Sequence, residues 1–330
     1  MSEPLTNLDQ VISVLEVPAD TVIVFHRNPD ADAVGSAFAL QKVMEQLGSP
    51  TRCVCSGEIP SNLQFLMNGV QESVLSDVVL SGFEPARVIT VDTASLSQMG
   101  ELANLFGDRV DLMIDHHESD APYGAQSYIR TSAAATGEII FDLIKKLASE
   151  ERIVIDEEMC IDLYAAISGD TGCFRYSNVT PKTHLRAAEL VASGIDCAGI
   201  NRKLFENNSL DRLRAQSAAI SNMELFADGK IAVVTFPYAL KAALGLGDDD
   251  LGALVDIPRS LSGVEVALCI RQPLPEGKFR VSARSNGAYD VAELCRKFDG
   301  GGHAKAAGCT LTAIDIAEAM HRIVSVIHFE

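Results

Sequence analysis

The sequence predicts an α/β protein: a larger N-terminal domain with a mostly parallel sheet flanked by helices, and a smaller C-terminal α/β domain with a mixed sheet, with a cleft between them. In the first half, short β-branched runs alternate with stretches of helical periodicity, the pattern of strands joined by crossover helices. In the second half, strands follow one another closely around the turn sequence PLPEG (273–277), the mark of an antiparallel hairpin. The 330 residues suffice for two cores of ordinary size.

The first strand is TVIVFH (21–26), followed by a polar loop and the helix AVGSAFALQKVMEQLG, which stops at Gly48. TRCVCS (51–56), RVITVD (87–92) and VDLMIDHH (110–117) supply further strands. TGEIIFDLIKKLASE and DEEMCIDLYAAISGD (156–170) carry helical periodicity. From about 182 to 222 the pattern is helical and charged, and 186–222 is assigned as a helical linker between domains at 1–185 and 223–330. The strands GKIAVVTF (229–236), GVEVALCIRQ (263–272) and GKFRVSARS (277–285) begin the second domain.

Composition narrows the function. Apolar residues make up 47% and charged residues 22%, a globular balance. No apolar run reaches the ~18 residues that span a bilayer, and MSEPLTNLDQ lacks the features of a signal peptide, so a soluble chain without membrane partners is expected. The eight cysteines form neither a CxxC pair nor zinc-finger spacing and fit small buried residues in a reducing cytoplasm. The net charge of −18 would repel a long nucleic acid, so tracking along a polymer is not expected. Phosphates handled by such a chain should be small, with metal ions or a local basic pocket supplying positive charge.

Functional crevices of open α/β sheets lie beyond the carboxyl ends of the strands, where the unusual polar residues of the first half collect. His26 ends one strand and is followed by Asp30 and Asp32; Asp92 ends another; Asp115, His116 and His117 end a third; Asp170 ends a helix. Singly, each has a structural alternative. Asp30 can form a turn, Asp32 can cap a helix, Asp92 can cap the next one, and His26 can be a hydrogen-bonded histidine. Together they place several carboxylates at one edge, where without metal they would repel one another. Two divalent cations remove that repulsion and would clamp phosphoryl oxygens during in-line displacement. Carboxylates and imidazoles without cysteine suit Mn²⁺ first, while Mg²⁺, Co²⁺ and Fe²⁺ also fit.

HRNPDADAVGSAFAL, VDTA, IDHHESD and SGDTGCFRYSNVT together resemble the DHH phosphoesterase superfamily, and FRVSARSN and FDGGGHAKAAG resemble its DHH-associated domain. The resemblance covers nearly the whole chain, with the motifs in the family's order. It implies one metal held by His26, Asp30 and Asp92 and a second held by Asp32, Asp92, His116 and Asp170, with Asp92 bridging. It assigns His117 to the scissile phosphate or to proton transfer and Asp115 to orienting a histidine. Arg284, Ser285 and Asn286 would grip a phosphate or a terminal base. Gly300, Gly301 and Gly302 would form a loop that cups the nucleotide, with His303 reaching toward the phosphate being cut.

The branch resembled is that of stand-alone nanoRNases that also dephosphorylate 3′-phosphoadenosine 5′-phosphate (pAp). The activity implied is hydrolysis of very short RNA, pApA-type dinucleotides or pAp by a metal-bridging hydroxide. A cyclic-dinucleotide phosphodiesterase is the nearest alternative. An inorganic pyrophosphatase or exopolyphosphatase, a RecJ-type exonuclease and a non-catalytic nucleotide sensor stand further off. The GGGH motif, the acidic charge and the complete ligand set count against these three in turn. A homodimer is compatible with the sequence.

Overall fold

The computed structural model describes residues 2–67, 72–74, 82–119, 121–252 and 254–329. Asp120, the last residue of the IDHHESD motif, lies outside them. The chain divides into two units, Met1–Asn207 and Asn208–Glu330.

The elements of the first unit are β1 (Glu3–Pro4), α1 (Leu8–Leu15), β2 (Thr21–Val24), α2 (Ala31–Gln46), β3 (Thr51–Cys55), β4 (Glu72–Val74), β5 (Arg87–Val91) and α3 (Leu102–Phe106). They continue with β6 (Leu112–Asp115), β7 (Gln126–Ile129), α4 (Thr136–Ser149), α5 (Glu157–Asp170), α6 (Pro181–Ala192) and α7 (Cys197–Asn201). All seven strands pair in parallel, in the order β1-β7-β6-β5-β2-β3-β4. Parallel pairing buries both sheet faces, which is why β2, β5 and β6 are apolar almost throughout. β1, β4 and β7 go beyond the strands legible in the sequence.

α2 is buried from Ala31 to Met44 and has no exposed face over that span. It packs on α5 at the close range that glycine permits. A Cβ on Gly35 would lie 2.3 Å from the Asp162 carbonyl oxygen, and one on Gly169 would lie 2.6 Å from the Ala31 Cβ. α4 joins them through Gly137, where a Cβ would stand 2.6 Å from the Ala166 Cβ. Three helices thereby converge with their site-bearing ends together. The buried Lys42 ammonium beneath them is paired with Glu158 (2.7 Å) and Asp162 (3.5 Å), as an interior charge requires.

The second unit contains α8 (Leu210–Ser221), β8 (Met223–Phe226), β9 (Ile231–Phe236), α9 (Tyr238–Leu244), α10 (Asp256–Arg259), β10 (Val266–Arg271) and β11 (Lys278–Ser285). α11 (Val291–Arg296), β12 (Gly301–His303), β13 (Ala306–Thr312) and α12 (Ile316–Val324) complete it. Its sheet is mixed, ordered β12-β13-β11-β10-β9-β8, with β9 and β10 parallel and the other neighbours antiparallel. Phe279, Val281 and Leu268 on one face pack against Leu294 and Ile323 of α11 and α12.

The segment 186–222 differs from the single helical linker expected. α6 and α7 bury Ala187, Leu190 and Ile200 in the core of the first unit, whereas α8 buries Ala215 and Ala219 against Val234 and Cys269 in the second. Helical periodicity identifies the helices but not the core each one joins. MELF (223–226), directly after that segment, is strand β8, paired antiparallel with β9. Among the described residues, no helix is long and apolar enough to cross a membrane.

Candidate functional site

The carboxyl ends of β2, β5 and β6 bring His26, Asp92, Asp115, His116 and His117 to one edge of the parallel sheet. α2 adds Asp30 and Asp32, and the last residue of α5 adds Asp170. The potential ligand atoms form three overlapping sets, one of them Asp92, Asp115, His116 and His117, which shares Asp92 with the second and His116 with the third. His26, Asp30 and Asp92 make the second, and Asp32, His116 and Asp170 make the third. His26 Nε2 lies 3.4 Å from Asp92 Oδ2 and 3.8 Å from Asp30 Oδ1. His116 Nε2 lies 3.3 Å from Asp170 Oδ2, 3.7 Å from Asp92 Oδ1 and 3.8 Å from Asp32 Oδ2. Asp92 thus stands between the second and third sets.

The local chemistry that fixes each carboxylate is distinct. Asp30 is the N-cap of α2, its Oδ1 accepting from the Asp32 and Ala33 amides at 3.0 and 3.1 Å. Asp32 sits in the first turn and serves a different helix. Its Oδ2 accepts from the Thr136 amide at 2.7 Å and its Oδ1 from the Gly137 amide at 2.8 Å, so it occupies the N-terminus of α4, where exposed amides favour an anion. Asp92 has φ of 50°, in the left-handed region, where β5 turns into its loop. Its Oδ1 accepts from the Thr136 hydroxyl at 3.2 Å. The next helical turn is capped by Ser95, leaving Asp92 without that duty.

The histidines are oriented from behind. His116 Nδ1 lies 3.3 Å from the Ala133 carbonyl, an acceptor that places the proton on Nδ1 and the lone pair on Nε2. His116 Nε2 is buried without a hydrogen-bond partner among the described residues, although three carboxylates face it. His117 Nδ1 is held at 2.7 Å by Asp115 Oδ1, which also accepts from the His117 amide at 2.8 Å.

Crowding shifts the protonation of the cluster. Burial first, and then the charges of Asp92 and Asp170, push the Asp32 carboxyl well above the usual carboxylate range. Burial, Asp30 and Asp92 do the same to Asp170. Burial opposes ionisation of Asp92 as well, but hydrogen bonds to His117 and His26 pull it well below that range. Burial opposes charge on the histidines too. Asp30 and Asp92 outweigh it at His26, lifting its pKa to about 10, and Asp115 and Asp92 lift that of His117 to about 11. Burial lowers His116, favouring the neutral form that can ligate. A buried imidazole lone pair aimed at clustered carboxylates, with protons held where cations would bind, is a donor set that fits a pair of divalent ions.

The second unit places only some of its candidates on one sheet face. In β12 and β13, His303 pairs with Ala306, and Ala306 pairs with Arg284 of β11. His303 and Arg284 therefore flank a small residue in one row. Ser285 points to the opposite, buried face, its hydroxyl donating to the Gly287 carbonyl at 3.3 Å. Asn286 ties a neighbouring turn, its amide nitrogen donating to the Arg259 and Val264 carbonyls at 2.8 and 3.1 Å.

The glycine run is an edge strand and its approach rather than a loop. Antiparallel pairing with β13 takes up the backbone groups on one side of the strand. Gly300 and Gly302 are required by close packing, since a Cβ would lie 2.3 Å from the Gly308 carbonyl oxygen and 2.5 Å from that of Ala306, respectively. At Gly301 a Cβ would meet nothing within 4 Å among the described residues.

Sequence reasoning missed Thr136, Gly137 and the Ala133 carbonyl. The run TSAAATG before an apolar helix was the available signal, since small residues let a helix N-terminus approach a site closely.

The fold and this edge define a protein of the DHH class. Residues 20–167 match the model for the DHH family, N-terminal domain, and residues 228–328 match the DHHA1 domain. A Streptococcus mutans protein named as a probable bifunctional oligoribonuclease and PAP phosphatase NrnA is 30% identical over 88% of this chain and 89% of its own length. The bifunctional oligoribonuclease and PAP phosphatase NrnA of Thermus thermophilus is 29% identical over 99% of this chain and 94% of its own. The crystal structure of an exopolyphosphatase-related protein from Bacteroides fragilis superposes with a TM-score of 0.87 at 24% identity, covering 96% of this chain and 94% of that one. The chain belongs to the DHH family.

Proposed function

We propose that this chain is a phosphoesterase dependent on two divalent cations, Mn²⁺ by preference, that hydrolyses very short oligoribonucleotides, pApA-type dinucleotides and the 3′-phosphate of pAp. The observation that carries it is the set His26, Asp30 and Asp92 beside the set Asp32, His116 and Asp170, with Asp92 Oδ1 3.7 Å from the buried His116 Nε2 that faces the carboxylates. The activities named for the two NrnA relatives support the choice of substrate. The net charge of −18 favours short substrates over long ones.

His26, Asp30 and Asp92 would hold one ion, and Asp32, Asp92, His116 and Asp170 the other. Such ions acidify water and draw charge from phosphoryl oxygens. The protein's own residues do the rest. The amides of α4 fix Asp32, and the Thr136 hydroxyl fixes Asp92, so the geometry exists before substrate arrives. Asp115 holds His117 through Nδ1, which leaves Nε2 as the atom that passes a proton to a phosphoryl or leaving-group oxygen. Arg284 and His303, sharing a face with the open position at Gly301, would grip the nucleotide's phosphate.

The test is a panel of pAp, pApA, cyclic-di-AMP, cyclic-di-GMP, pyrophosphate and RNAs lengthening from the dinucleotide, assayed with Mn²⁺. Fastest turnover is expected on pApA and pAp. Turnover of pyrophosphate without pAp, or of a cyclic dinucleotide alone, would overturn the assignment.

A further inference from the structure

The first unit contains a cavity of about 250 Å³ beside the ligand cluster, with Asp30 and Asp170 among its lining residues. Pro60, Asn62, Leu204 and Phe205 make further walls. We propose that this cavity is a nucleobase pocket, in which Phe205 stacks on a base of the nucleotide whose phosphate is cleaved. The proposal rests on the phosphoesterase function above and adds where the base lies.

The lining selects the ligand. Apart from Asp30 and Asp170, which the ions would occupy, the lining among the described residues has no charged side chain and so no cation to pair with a second phosphate. Apolar walls with one aromatic ring suit a flat heterocycle better than a sugar, and the Asn62 amide offers both a donor and an acceptor to a base edge. The volume lies below the roughly 300–1,000 Å³ of pockets for drug-sized molecules, which fits one base. Because Asp30 and Asp170 are also candidate ligands, a base seated here is contiguous with the reacting phosphate.

The construction around Phe205 is the second observation. Residues Arg202–Glu206 form a π-helical turn, a rare geometry that recurs at functional sites. The turn is fastened to the helix that bears Asp170. Ser168 Oγ donates to Asn201 Oδ1 at 2.6 Å, and Asn201 Nδ2 donates to Tyr164 Oη at 3.1 Å. On its other side the Lys203 ammonium sits 4.5 Å from the centre of the Phe65 ring, within the Ser61–Met67 turn that also carries Asn62. Phe205, Asn62 and Asp170 are therefore parts of one braced assembly.

Phe205→Ala and Phe205→Trp test this with pApA and with two analogues, each lacking one base. Phe205→Ala should raise KM for pApA about tenfold, the order expected for one lost base stack. It should leave one of the two abasic analogues unaffected, and Phe205→Trp should restore the wild-type KM. Equal losses on pApA and both analogues, or no loss on any, would overturn the pocket. Fluorescence quenching of a 2-aminopurine dinucleotide on binding is a readout independent of turnover. Quenching by the wild type that is lost in Phe205→Ala supports the pocket even if no nucleotide is hydrolysed, a result that would refute only the proposed function. Quenching retained in Phe205→Ala, or no quenching by a wild type that hydrolyses pApA, refutes the pocket alone.

Discussion

In the first unit Asp32, Asp92 and Asp115 are almost wholly buried, whereas Gly301, Gly302, His303 and Asn286 of the second unit lie at the surface. The buried carboxylates would be a liability in any protein that did not compensate them. They are compensated by helix amides, a hydroxyl and histidines, and the remaining imbalance is what cations would remove. The exposed face carries no such debt. Damage to the first region should therefore appear as lost metal and lost stability, and damage to the second as weaker substrate binding.

The sharpest way to break this contrast is at Asp92, the only carboxylate close to His26, His116 and His117 among the described residues. Asp92→Asn keeps the shape and suits the left-handed backbone. It should lower kcat/KM for pApA by roughly 1,000-fold or more, as loss of a central catalytic group does. Full activity in that variant would remove Asp92 from the reaction. A smaller effect is expected at Thr136, whose hydroxyl reaches Asp92 and whose amide reaches Asp32. Thr136→Val retains size but not the hydroxyl and should weaken Mn²⁺ binding by about 10–100-fold, with Thr136→Ser recovering most of it. Equal affinities for the two variants, read by calorimetry, would make the hydroxyl irrelevant.

Part of this arrangement was legible in the sequence because the rule behind it is local. An apolar strand followed by Asp or His places that residue at the carboxyl edge of a parallel sheet, and that rule brought His26, Asp92, Asp115, His116 and His117 to one edge. The partners were not legible because they lie far off along the chain. Asp32 bonds to amides 104 and 105 residues away, and nothing in its neighbours announces α4. In the second unit GGGH reads as a loop in the sequence, since glycine runs usually mark loops. The strand forms because Gly300 and Gly302 let two backbones approach more closely than any side chain allows. The resemblance groups Asn286 with Arg284, and the sequence does not reveal that its amide holds the turn at Arg259 and Val264. The π-turn at Arg202–Glu206 lies in a stretch whose helical periodicity concealed it.

The glycine contacts allow the contrast to be probed away from the ligands. Gly35→Ala drives a methyl group to 2.3 Å from the Asp162 carbonyl and should cost about 1–3 kcal/mol in urea unfolding. Because α2 carries Asp30 and Asp32, metal affinity should fall with it, and unchanged stability would show that the helices can slide apart freely. The mildest effect belongs to the second unit. Arg284→Ala should raise KM for pApA about tenfold, the scale of one lost hydrogen bond to a charged group, and leave the melting temperature unchanged. An artificial aryl phosphodiester should be hydrolysed almost as before, whereas equal losses on both substrates would argue against a recognition role.

The central claim is that the cluster around Asp92 works as a pair of metal sites. Stripping the protein with chelator and returning Mn²⁺ in measured equivalents, while following both bound metal and pApA hydrolysis, tests it directly. Negligible hydrolysis in the stripped protein, recovered in full only as the second equivalent binds, is the expected result. Undiminished hydrolysis by the metal-free protein would contradict it.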